Sequence, residues 1–127
     1  MKYLLAILLL STALTARAEF QRIDEGGLEI NLEDVLPHRQ PAILLLYAPW
    51  DQESSQLIEE LENWSNDHTD FVVIAANVVD ERTLLSRQFE LKKIPAIFVY
   101  DDEKNQVGTS VETIDDLEDL LKKHDLP

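Results

Sequence analysis

Three short apolar runs constrain this chain more than anything else in it: "PAILLLY" at 41–47, "DFVVIAANVV" at 70–79 and "PAIFVY" at 95–100. Each is shorter than a typical buried helix, shows no polar alternation, and is rich in branched or aromatic side chains. That is the pattern of a strand covered on both faces. Such strands need helices on either side, and the segments between the runs supply them. After Asp51, Leu57, Leu61 and Trp64 recur at helical spacing with Ile58 beside them. Glu59, Glu60, Glu62 and Asn63 fall largely on the other side. "DERTLLSRQFEL" is expected to form a helix capped by Asp80 that buries Leu84, Leu85 and Phe89. "TIDDLEDLLKK" reads as a closing helix, with Thr113 and Asp116 as a capping pair and Ile114, Leu117, Leu120 and Leu121 as the buried stripe. Its early acids, and Lys122 and Lys123 near its end, suit the helix dipole.

The other elements are weaker. "FQRIDEGGLEI" reads as a short extended segment with a turn at Gly26-Gly27, and "NLEDVLP" as a short helix capped by Asn31 and stopped by Pro37. "NQVGTSV" is expected to be a further strand, joined to "AIFVY" by the polar turn "DDEKN". The order β-α-β-α-β-α-β-β-α describes an α/β fold, a central mixed β-sheet flanked by helices on both faces. A length of 127 residues suits one such domain. Residues 1–18 stand apart from it. "MKYLLAILLLSTALTARA" has an early cation, an apolar run too short to span a bilayer, and a small-x-small ending. That is the layout of a signal peptide cleaved after Ala18, which leaves 19–127 as a periplasmic or secreted domain.

Charge narrows the choice of partner. The formal net charge is −14, and removal of Lys2 and Arg17 with the leader takes it to −16. Nucleic acids and anionic lipid surfaces repel such a body, whereas cations and basic protein surfaces are drawn to it. The chain has no cysteine. An oxidising compartment permits disulfides, yet none can form here, and thiol exchange has no thiolate to begin it.

"AILLLYAPW" resembles the central strand of thioredoxins and the tryptophan before their active-site turn. "KKIPAIFVY" is similar to the cis-proline loop of that family, with Ile94 and Pro95 at the loop. Asp80 stands before it at the distance at which the family opens its third helix. The resemblance covers essentially all of 19–127 and implies a thioredoxin-like fold. It also shows what is gone. The two cysteine positions would be Asp51 and Ser54, the buried acid of the central strand would be Leu45, and its lysine neighbour would be Ala76. A glycine the family often carries after its last strand would fall near Glu112. No thiol–disulfide oxidoreductase activity is expected, and no enzyme of another kind.

What the resemblance leaves intact is a groove. Thioredoxins bind extended peptides beside the cis-proline through main-chain groups of the preceding residue, here Ile94, a form of strand addition. The implied contact surface is Trp50, Asp51, Gln52, Glu53, Ser54, Ile94, Pro95 and Glu112. Asp51 also has a local reading as a helix cap, because the orphan N–H groups that favour a thiolate favour a carboxylate too. His38, His68 and His124 lie scattered in polar stretches with no metal-binding spacing, and read as solvated. Ser54 and Ser55 lack a nucleophile elbow. The acidic clusters at 59–62, 101–103 and 115–119 lack the EF-hand pattern and read as solvated faces. No cofactor is expected. The function expected is an exported, redox-inactive module that binds a protein or peptide of basic character, chaperone-like or as an adaptor. The alternatives are low-affinity calcium binding or buffering, or a place as a subunit of an envelope complex.

Overall fold

In a computed structural model, which describes residues 19–127, the chain is built around β2 (Ala42–Tyr47), whose six residues are all buried. The expected signal peptide, residues 1–18, lies outside the described residues. Along β2, Leu44 and Leu46 enter one apolar cluster while Ile43 and Leu45 enter another. Both faces are therefore covered, which is why the run shows no polar alternation. β3 (Val72–Asn77) lies parallel to β2 with Ile43 beside Val73, and β4 (Ala96–Tyr100) lies antiparallel on the other side with Leu44 beside Phe98. β1 (Glu19–Ile23) pairs in parallel with the far side of β3, giving the order β1-β3-β2-β4.

The helices are α1 (Leu32–Val35), α2 (Gln52–Asp67), α3 (Leu84–Gln88) and α4 (Ile114–Lys123). α2 and α4 cover one face with Leu57, Leu61, Trp64, Leu117 and Leu121. Leu36, Leu85 and Ile30 cover the other. Full burial of one such side chain is worth about 1.5–3 kcal/mol. An exposed ion pair such as Arg22–Glu62, at 3.6 Å, adds little beside that. The two clusters hold the fold.

Two expected elements differ. The helix after β3 starts later than expected, with Thr83 and not Asp80 as its cap; the Thr83 hydroxyl accepts the Ser86 N–H at 3.3 Å. Asp80 instead takes the N–H of Arg82 at 2.7 Å in its own tight turn. Delaying the start turns Leu84 outward, 49% exposed, and leaves Leu85 as the fully buried apolar residue of the helix, with Phe89 after it half-buried. "NQVGTSV" does not form a strand. Among the described residues it pairs with β4 through two isolated bridges, Tyr100–Gln106 and Ile97–Val111. Val107 donates to Val99 at 2.8 Å and Val111 to Ile97 at 2.9 Å, so two steps along β4 face four along this segment. The surplus loops out around Gly108, whose φ is 64°.

Gly27 is the tightest local requirement. Its φ is +79°, and an added Cβ would stand 2.7 Å from Thr83 Cγ2 and 3.0 Å from the Val78 carbonyl oxygen. Its own carbonyl accepts the Leu85 N–H at 2.9 Å, so the turn is locked onto the start of α3. Gly26, at φ +69°, has nothing within 4 Å. Gly27→Ala is predicted to destabilise by roughly 2–4 kcal/mol, combining left-handed strain with overpacking. Gly26→Asn is predicted to stay within about 1 kcal/mol of the parent, because Asn tolerates that conformation. Thermal or urea melts of the two variants check the contrast.

Candidate functional site

β2 delivers the chain to the start of α2, and the link between them is a short hydrogen-bonded relay. Asp51, with φ −91°, caps the helix. Its carboxylate accepts the N–H of Ser54 at 3.0 Å and the Ser54 hydroxyl at 2.9 Å. The Ser54 oxygen in turn accepts the N–H of Ala48 at 3.2 Å. The local reading of Asp51 as a cap therefore holds, an arrangement worth about 1 kcal/mol over alanine. Ser54 is fully buried, so it positions the turn and offers no surface to a partner. The two positions that the resemblance assigns to cysteines are thus joined by a hydrogen bond. Beneath them Leu45 is fully buried. Its neighbour on β3 is Ala75; Ala76 pairs with Leu46 and belongs to the opposite cluster. Among the described residues, no acid or base side chain lies beside Leu45 in the sheet.

Trp50 stands out from the turn, 64% exposed. Its indole N–H donates to the carbonyl of Val79. Val79 has φ 71°, a left-handed conformation that a β-branched residue adopts only under strain. The conformation is held from behind. Val79 N–H donates to Asn77 Oδ1 at 2.8 Å, and Asn77 Nδ2 donates to Asp24 Oδ1 at 3.1 Å. Trp50 is anchored by its N–H while most of its surface stays open.

Opposite the start of α2 lies the Ile94–Pro95 peptide bond, which is cis. The Ile94 side chain packs into the core at 8% exposure. Among the described residues, neither its N–H nor its carbonyl has a hydrogen-bond partner. A cleft of ≈ 160 Å³ opens beside Pro95, lined by Glu53, Gln56, Leu57, Glu60 and Glu112. Glu112 also lines a neighbouring hollow of ≈ 470 Å³ whose apolar surface includes Phe89, Leu91 and Phe98. Glu53, Pro95 and Glu112 therefore meet at one cleft with Ile94 adjoining. Trp50 and Gln52 are exposed near the tip of α2 without lining it.

Lys93 was not singled out from the sequence. Its ammonium meets Glu112 Oε2 at 3.1 Å. That hydrogen bond and the Glu112 charge, with Glu53 and Asp51 behind them, raise its pKa above the ordinary 10.5. The available signal was a pair of cations beside a proline in a chain poor in cations. His68 also departs from expectation. It is the C-cap of α2, half-buried, and stacks on Trp64 with ring centroids 3.9 Å apart and planes 6° from parallel. Among the described residues, no group of three His, Asp or Glu side chains converges as metal ligands would.

No protein-family model and no curated protein matches the chain. Solved structures do. The short form of thioredoxin f from spinach chloroplast matches with a TM-score of 0.68 at 12% identity, over 85% of this chain and 95% of that one. A reduced Schistosoma mansoni thioredoxin pre-protein matches with a TM-score of 0.66 at 19% identity, over 83% and 97%. A mutant thioredoxin from Halobacterium salinarum matches with a TM-score of 0.64 at 23% identity, over 84% and 90%. The chain has the thioredoxin fold, and at these identities the likeness is one of fold alone. It carries that fold with no cysteine, so the thiolate needed for disulfide exchange is missing.

Two measurements test this geometry. Ser54→Ala is predicted to destabilise by about 2 kcal/mol, because it strips a hydrogen bond from Asp51 and leaves the buried Ala48 N–H without an acceptor; equilibrium urea melts read it. The Lys93 pair gives way at high pH. A raised folded-state value means its stabilisation is fully present below pH 10.5 and is lost as the pH climbs through the raised value. In an NMR titration of the Lys93 side chain, Glu112→Gln is predicted to bring the midpoint down toward the ordinary value, and an unmoved midpoint would disprove the pairing.

Proposed function

We propose that this chain is an exported, redox-inactive binding module that takes an extended, basic stretch of a partner polypeptide along the ledge at Ile94. The observation that carries the reading is the unpartnered main-chain N–H and carbonyl of Ile94 beside an open cleft. An added strand satisfies both groups at once, and pockets on either side read its alternate side chains. Trp50 offers an aromatic surface on which an Arg or Lys of the partner can rest. Glu53, Glu60 and Glu112 supply the opposite charge around the cleft. An incoming cation takes over Glu112 from Lys93. The formal net charge of −14 draws basic segments from a distance. Export rests on the leader-like pattern of residues 1–18. Redox inactivity rests on the absent thiols.

A photo-reactive amino acid placed at Gln52 tests the reading in cells. Capture of a partner polypeptide from Gln52, and none from the same probe at Lys123, is the expected result. Trp50→Ala should abolish that capture while moving the melting temperature little, since the ring is mostly solvated. Equal capture from Gln52 and Lys123 would remove the support for this surface. Insulin reduction above the buffer rate would overturn the redox-inactive assignment.

A further inference from the structure

We infer that the outer edge of β1 is a second docking surface, which takes a basic, extended segment of a partner protein as an added strand. β1 lies at the edge of the sheet and, among the described residues, pairs only with β3. A strand in that position presents a row of main-chain N–H and carbonyl groups without ladder partners. The other edge is protected: β4 is bridged by Val111 and Gln106. β1 carries no proline, and its one cation, Arg22, is turned to Glu62 on α2 at 3.6 Å. Edges are ordinarily blunted by such devices, and here they are absent or committed elsewhere.

Beside this edge lies a hollow of ≈ 430 Å³. Ile23, Ile30 and Val35 form its apolar part and Glu25, Glu29 and Asp34 its charged part, with no Lys, Arg or His among the described residues that line it. The wall is fixed in advance. Gln88 grips the main chain of Ile30 from both sides, accepting its N–H at 2.9 Å and donating to its carbonyl at 2.7 Å. The occupant follows from charge. A second copy would bring Glu19 and the same rim carboxylates against their own likenesses, on bodies that each carry −14. A strand whose hollow-facing positions carry both apolar and basic side chains sets the apolar ones on Ile23, Ile30 and Val35 and the cations on the rim, while the residues between them point to the other face. This edge is on the side of the sheet away from β4, so the surface is separate from the Ile94 ledge.

The test uses a synthetic extended peptide in which valine and lysine alternate at every second position with threonine between them, with the same peptide carrying glutamate for lysine as control, read by amide hydrogen exchange and by titration. The lysine peptide is expected to slow exchange in residues 19–23, and the glutamate peptide to have no effect. Glu25→Lys combined with Glu29→Lys should weaken binding at this edge about tenfold, whereas Glu112→Lys, in the other cleft, should leave it unchanged. The inference is overturned if the lysine peptide fails to bind or protects only the segment around Ile94. It is equally overturned if both peptides protect β1 alike, or if β1 is already protected in a dimer of this chain without peptide.

Discussion

The side chains of β2 point alternately into two apolar clusters, and neither cluster closes without them. Because both faces of this strand are occupied, its neighbours must be apolar as well, and β3 and β4 are buried along their whole lengths. That constraint reaches the site. An unpaired carboxylate at Leu45 would sit in a fully dry environment, and burial of a charge without a partner is strongly unfavourable. Leu45 beside Ala75 instead fills that environment with apolar atoms. The turn that follows inherits a rigid support, since its residue Ala48 is itself fully buried and fixed by Ser54.

The sheet was legible because the burial that defines it is written locally. A run such as "AILLLY" can satisfy its side chains only when covered twice. α2 and α4 were legible for a related reason, with Leu57, Leu61, Leu117 and Leu121 all buried at the expected spacing. What was not legible depends on contacts between distant segments. Thr83 outcompetes Asp80 as a cap because its hydroxyl also donates to the Val78 carbonyl at 2.7 Å and its methyl packs over Gly27. No local pattern around Asp80 reveals that. The segment at 105–111 alternates like a strand, yet Gly108 sits over Leu120 of α4, and the ladder breaks there.

The site shows the same division. Asp51 as a cap follows from its place before a helical pattern, but Ser54 as the buried centre of the relay requires knowing that Ala48 lies above it. Trp50 was recognisable as part of the implied contact surface. Its anchor, a strained Val79 on the loop after β3, was not, because a left-handed valine has no sequence signature. Lys93 escaped notice for the opposite reason: lysines are common on surfaces, and only the approach of Glu112 from 19 positions later gives this one a role. The cleft residues are drawn from α2, the loop before β4 and the loop before α4, and the sheet alone brings them together.

The Asp51–Ser54 hydrogen bond has a consequence for how the cleft beside Pro95 behaves in its surroundings. A pair of sulfurs at these positions would exist either bonded or reduced, and the mouth of the cleft would answer to the electrochemical potential of its compartment. A carboxylate holding a hydroxyl has no such pair of states. The shape presented beside Pro95 is then the same under oxidising and reducing conditions, independent of electron supply.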